Sequence, residues 1–296
     1  MPFLGELSAL LTACLWSCSA MVFASATRRA GSFQVNITRL ILAAVYLVVM
    51  IALMRLDVML SKTQVLNLCL SGVVGLALGD TFLFKAFQEI GARISMLIMS
   101  VAPAIAALFA YFVLDETLSA VGVLGIAITI LGVGVVVLDR GSGGSQRISL
   151  TTSGIVYGIL AAAGQGAGLV LAKLAFREAD LNGFVAAAIR INASLVLLLP
   201  VALMTRRFRN PVRMFAQERK AFWLTALGSV LGPFLGISFS LIAIEHTKVG
   251  IAATIMALVP ILMLPLVRIV YKEQLTWRAI LGAFAAVGGV AMLFLR

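Results

Sequence analysis

Asp80 stands in the run Gly75-Leu76-Ala77-Leu78-Gly79-Asp80-Thr81-Phe82-Leu83-Phe84, with no other charge nearer than Lys85. A carboxylate inside a membrane helix costs about 2.5–3.5 kcal/mol at the helix centre, so such a residue faces a cavity or a partner rather than lipid. Two chemistries fit. Asp80 carries a proton or holds a substrate amine, or it makes a structural ion pair or helix-packing hydrogen bond. Lys85, five residues on, points elsewhere on the helix and is not an obvious partner. Arg39 and Arg190 also lie inside apolar runs. They either snorkel to the headgroups or bind an anionic group, such as a carboxylate, in a cavity. Asn192 lies two residues past Arg190, about 200° around a helix, so the two do not both face one cavity squarely. Trp16 and Gln165 sit mid-run in equivalent places and either line a pocket or pack against a neighbour. Gln165 falls in Gly164-Gln165-Gly166-Ala167-Gly168, a poor helix interior that permits bending or close approach.

Other polar residues read more plainly. His246, the single histidine, sits beside Glu245 at the end of a run, as a solvated end residue or a pH sensor. Lys85, Glu89 and Arg93 are spaced for a ladder of ion pairs. The cysteines Cys14, Cys18 and Cys69 lie inside apolar runs without a CxxC spacing, as small buried hydrophobes. There is no HExxH, no GxxxxGK[ST] loop, no ordered Ser/His/Asp set and no paired aqueous carboxylates. The sequence therefore predicts no catalytic residue, no metal site and no cofactor, and the protein is read as a non-enzyme.

The elements that must position these residues are membrane helices. The chain has 296 residues, 62% hydrophobic and 12% charged, with mean hydropathy +1.10. Soluble domains are nearer 45–50% apolar and about 25% charged. The formal charge of +11 lies in short gaps between apolar runs, which suits topology and lipid contact rather than nucleic acid. The apolar runs span about 4–26, 35–54, 64–88, 94–113 and 118–138, then 153–175, 184–205, 221–244, 249–269 and 277–295. A helix needs about 20 apolar residues to cross the bilayer, and no run alternates with period two as a membrane β-strand does. The expectation is an all-α membrane protein with ten transmembrane helices in two five-helix repeats: 1–140, a Gly/Ser-rich linker 141–152, and 153–296. Leu7–Ala26 ends in a signal-peptidase-like Ala24-Ser25-Ala26 but lacks a positive n-region. It is expected to be a retained helix in a multi-pass protein of the inner or plasma membrane.

A shift of 157 positions lays residues 71–138 on 228–295 without a gap. It pairs Gly75 with Gly232, Gly79 with Gly236, Pro103 with Pro260 and Glu116 with Glu273. Arg39 matches Arg190 at a smaller shift. Asp80 has no counterpart, since Ile237 follows Gly236. Five spans per half is an odd number, so the second half inserts inverted, as in many secondary transporters whose substrate site lies between the repeats. Gly75, Gly79, Gly232 and Gly236 belong to i, i+4, i+8 rows of small residues that let backbones approach in lipid. Pro103 and Pro260 are expected to kink the fourth and ninth spans. Glu116 and Glu273 are read as structural caps or clamps at the start of the fifth and tenth.

Gly79-Asp80, Ala86, Gly91-Ala92, Pro103, Glu116-Thr117-Leu118-Ser119 and Gly125 resemble an EamA-type repeat, as do Pro260, Glu273-Gln274-Leu275-Thr276 and Gly282. The resemblance, to a branch of the drug/metabolite transporter superfamily, covers nearly the whole chain. It implies ten helices and export of small metabolites such as amino acids, or of toxic compounds. Basic residues are concentrated in the gaps that would put both termini outside, whereas the family habit puts both inside; either way they share a side. The expected function is alternating-access export of a small amino-acid-like or amphipathic metabolite, with protons as a candidate coupling ion and a monomer as a plausible state. A non-transporting membrane subunit would have a filled interior, and a passive channel would not saturate.

Overall fold

The computed structural model describes residues 3–114, 119–138, 151–178, 181–204, 210, 214, 216–247, 252, 255–270 and 275–294. Glu116, Glu273 and most of the Gly/Ser-rich linker lie outside these residues. Among the described residues every regular element is a helix. That is the required outcome for apolar segments in lipid, where each backbone N–H and C=O must be satisfied within its own segment. The first half runs α1 (Leu4–Ala30), α2 (Ser32–Met54), α3 (Lys62–Ser71), a π segment Gly72–Gly79, α4 (Asp80–Met99), α5 (Ala102–Leu114) and α6 (Ala120–Leu138). The second repeats the order: α7 (Thr152–Phe176), α8 (Gly183–Met204), α9 (Arg219–Ser229), a π segment Val230–Gly236, α10 (Ile237–His246), α11 (Val259–Val270) and α12 (Trp277–Phe294).

Among the described residues, seven helical stretches are long and apolar enough to cross a membrane, with three shorter apolar ones: Ala102–Phe112, Val259–Val270 and Trp277–Met292. Two of the short ones have a local cause. The fourth span of each half is split by a turn, at Ser100–Val101 and again at Ala257–Leu258. Each turn lies two to three residues before Pro103 or Pro260, because proline has no N–H to donate four residues back, to the carbonyl of Met99 or Met256, and so cannot continue the preceding helix. The expected mid-span kinks are thus full breaks, with the prolines in the first turn of the new helix. Gly91, at φ 75° and ψ 171°, separates the third span from the fourth. That geometry is open essentially to glycine alone. It also ends the register that would align Lys85, Glu89 and Arg93. Lys85 Nζ instead sits 4.9 Å from the Tyr157 ring centroid, and Glu89 accepts hydrogen bonds from Thr151 and Ser153.

Several helix starts are capped by small polar residues, which satisfy unpaired first-turn N–H groups. Ser61 and Gln64 form a reciprocal capping box on α3. The repeat mates Ser119 and Thr276 accept from Gly122 N and Ala279 N, each at 3.1 Å.

The first helix of each half packs on the third span of the other half: α7 against α3 and α4, α1 against α9 and α10. Glycine permits both crossings. A Cβ on Gly164 would come within 2.8 Å of Gly79 Cα, and one on Gly168 within 3.0 Å of Gly75 Cα. On the other side Gly236 and Gly228 make room for Trp16 and Phe23, whose atoms would lie 2.6 and 2.5 Å from an added Cβ. α6 and α12 are joined the same way, through Gly132, Gly282 and Gly289 and a hydrogen bond from Thr129 to Ala286 O.

Candidate functional site

Both π segments end on the same step of the repeat. The Asp80 N–H reaches back to Gly75 O, and the Ile237 N–H to Gly232 O. The extra residue per turn re-aims the side chain that follows, a device common at functional sites. Asp80 and Ile237 both face a central cavity of about 200 Å³.

The walls come from matched parts of the two halves. α1 supplies Trp16, Ser19 and Phe23, and α7 supplies Gln165 and Leu169. α2 and α8 supply the repeat mates Arg39 and Arg190, and the two helix breaks supply Met99, Ser100 and Pro103 against Ala257, Val259 and Pro260. These positions are mid-span, where main-chain carbonyls freed by a helix break can face only protein or the cavity. Apart from its charged residues the lining is largely apolar and aromatic, including Phe84 and Phe87.

The charges do not balance. Arg39 and Asp80 are 5% and 3% exposed and form an ion pair. Arg39 also donates from Nε and Nη2 to Asn36 Oδ1 at 3.0 and 2.9 Å. Its guanidinium lies 4.6 Å from the centroid of Phe84 and 5.5 Å from that of Phe23. The other carboxylate oxygen of Asp80 accepts from Gln165 Nε2 at 2.8 Å. Asn36 Nδ2 donates to Thr81 Oγ1 at 3.0 Å, and Thr81 in turn donates to Ala77 O. The network ties α2, α4 and α7 together around one carboxylate. Arg190 is as buried, at 5% exposure, yet its Nε has no hydrogen-bond partner among the described residues. Its Nη2 lies 3.4 Å from where a Cβ on Gly75 would sit. Arg39, Asp80 and Arg190 are the ionisable side chains lining the cavity among the described residues, so with all three ionised the lining carries one excess positive charge.

Five of the six residues singled out by chemistry therefore meet: Asp80, Trp16, Gln165, Arg39 and Arg190. Asn192 does not. It is exposed, and its amide donates to Ala188 O at 2.8 Å on its own helix, as the turn of about 200° from Arg190 requires. Neither arginine snorkels to the surface; both are held in the interior. Asn36, Thr81, Phe23 and Phe84 were not visible as site residues. The one sequence signal was that Asn36 precedes Arg39 by three, one helical turn. His246 is exposed at the end of α10, lies 3.7 Å from Glu245 and is not part of this lining.

A solved crystal structure is 18% identical in sequence and superposes with a TM-score of 0.68, covering 98% of this chain and 96% of that one. At that identity the likeness is one of fold. No curated protein matches the sequence. The model of the EamA-like transporter family matches residues 3–138 and again residues 152–295, the two stretches that carry the matched helix breaks, π segments and glycine crossings. With both repeats matched, this multi-pass membrane chain belongs to the EamA-like transporter family, within the drug/metabolite transporter superfamily.

Proposed function

We propose that the protein exports a small amphipathic metabolite by alternating access, its ten spans working as two inverted five-helix repeats. The carrying observation is the cavity: it is lined by equivalent elements of both halves, with a helix break from each. A filled interior would suit a non-transporting subunit; a mid-span cavity holding Asp80, Arg39 and Arg190 does not. Inverted repeats pivot around a shared site, and breaks at Ser100–Val101 and Ala257–Leu258 place jointed helices on both sides of it. The crossing of α7 on the third span suits the motion, because there glycine backbones meet with little side-chain interlocking.

In this reading Asp80 is the coupling group. Protonation would discharge its pair with Arg39 and leave the Asn36, Thr81 and Gln165 network to rearrange, loosening α2 from α4. Binding of a proton and of cargo are thereby linked through one buried pair.

The test is accessibility. Ala257→Cys, in a background with Cys14, Cys18 and Cys69 replaced, is exposed to a membrane-impermeant thiol reagent from each side of sealed vesicles. Alternating access gives labelling from both sides. Protection from both sides would mean a closed interior and sink the transport reading.

A further inference from the structure

The cavity offers its ligand one unspent charge. Asp80 is already neutralised by Arg39, and its second oxygen is taken by Gln165. Arg190 is buried to the same degree, faces the same space and leaves Nε without an acceptor among the described residues. A buried cation without a partner is costly, and a bound anion removes that cost. We infer that Arg190 is the docking point for the carboxylate of the cargo, and that the cargo is an amphipathic monoanion rather than a zwitterionic amino acid or a cation. This deepens the transport reading and rests on it.

Three observations select the class. First, charge: one negative charge brings the lining to neutrality. A zwitterion would bring an ammonium for which no uncompensated carboxylate remains, and a dianionic phosphate ester would leave an excess negative charge. In a site shielded from water either imbalance is expensive. Second, geometry: a guanidinium presents a planar fork that matches a carboxylate, and that of Arg190 lines the cavity with its Nε unpartnered among the described residues. Third, shape: the remaining walls are aromatic and aliphatic, with Phe84, Phe87 and Trp16 among them. These suit an apolar body of about the size of a single-ring acid in a cavity of about 200 Å³.

The repeat explains why one arginine is free. Arg39 and Arg190 are mates, but the acid that pairs with Arg39 has Ile237 as its mate. The fold builds two equivalent cation positions and fills only one with a built-in anion.

The probes are 3-phenylpropionate, L-phenylalanine and 2-phenylethylamine. They share one skeleton and carry net charges of minus one, zero and plus one at neutral pH. Binding to the full-length protein in detergent is measured by calorimetry and by thermal shift. The expected result is that 3-phenylpropionate binds at least about tenfold more tightly than the other two. Arg190→Gln should weaken it roughly 10- to 100-fold, the range of a charged hydrogen bond, and Arg190→Lys should fall between. The melting temperature of each variant reports folding independently. Equal or tighter binding of either other probe, an unchanged affinity in Arg190→Gln, or no binding by any probe overturns the assignment. Labelling of Ala257→Cys then separates the two readings: labelling from both sides leaves transport standing while this inference fails, and protection from both sides removes both.

Discussion

Arg39 and Arg190 occupy mated positions and are equally buried, so their removal is a controlled comparison of a paired with an unpaired buried charge. Arg39→Gln takes from Asp80 its only ion-pair partner among the described residues, empties the Nε and Nη2 donors to Asn36, and removes a cation from between Phe84 and Phe23. What stays behind is a carboxylate at 3% exposure held by Gln165 alone. Breaking a buried pair from one side costs about 3–5 kcal/mol, which for a chain this long lowers the melting temperature on the order of 10 °C. Arg190→Gln removes a guanidinium whose Nε is unpartnered. The relief of its desolvation offsets the lost attraction to Asp80, so stability should move by no more than about 1 kcal/mol. Asp80→Asn added to Arg39→Gln should restore most of the loss, because the orphaned charge is then gone. Melting of the purified variants in one detergent, without added ligand, compares all three with the parent. If Arg190→Gln destabilises as much as Arg39→Gln, Arg190 has a structural partner and the charge argument fails. If the double variant melts no higher than Arg39→Gln, the Asp80 pair is not the reason for the loss.

Three further outcomes, one of them with a control, follow from the same geometry. Asp80→Asn, reconstituted in vesicles with an imposed pH gradient, should lose the gradient dependence of flux; an unchanged rate and pH profile would rule out Asp80 as the coupling group. A Cβ on Gly72 would sit 2.1 Å from the Arg190 carbonyl oxygen, so Gly72→Ala must push α8 off the third span and lower stability by about 1–3 kcal/mol. Gly288→Ala meets nothing within 4 Å and should be neutral or slightly stabilising in the same melt. Gly91→Ala forces a side chain onto φ 75°, ψ 171° and should cost about 1–3 kcal/mol; a melt indistinguishable from the parent would show that the α4 break is not needed for folding.

Much of this arrangement was legible because lipid leaves the chain few choices. Apolar runs must become helices, and the ungapped repeat made the halves equivalent before any contact was known. Asp80 stood out because an acid in such a run is expensive. Its partner did not, because Arg39 lies 41 positions away in sequence and on another helix, and the repeat made Arg39 and Arg190 look alike. Which arginine is paired depends on which helix faces α4, a tertiary fact. The prolines foretold kinks, and the full breaks at Ser100–Val101 and Ala257–Leu258 fall where the missing proline N–H leaves the preceding turn without its donor. The π segments left no trace beyond the glycine spacing. The helical angle showed that Arg190 and Asn192 could not share the cavity, but not which of them would face it; Asn192 turned out to be the one outside.

The asymmetry of the repeat also supplies a reciprocal experiment. Ile237 stands where Asp80 stands in the other half: it ends the second π segment with the same N–H to carbonyl step, is buried, and lines the same cavity as Arg190. If the halves are equivalent in backbone, Ile237→Asp places a carboxylate before Arg190 as Asp80 is placed before Arg39. Two consequences are opposed to those of an ordinary buried acid. A lone aspartate replacing a buried isoleucine should destabilise severely, by several kcal/mol, whereas one that meets a waiting guanidinium should cost little, since the pair neutralises two charges at once. The lining would then carry no excess charge, and 3-phenylpropionate should lose its advantage over L-phenylalanine. Arg190→Gln combined with Ile237→Asp removes the partner and should restore the full cost of the lone acid. A severe loss of stability in Ile237→Asp that Arg190→Gln does not worsen would mean the acid never meets the guanidinium. The repeat would then share a fold without sharing its charge geometry, and the reason given for Arg190 being free would be wrong.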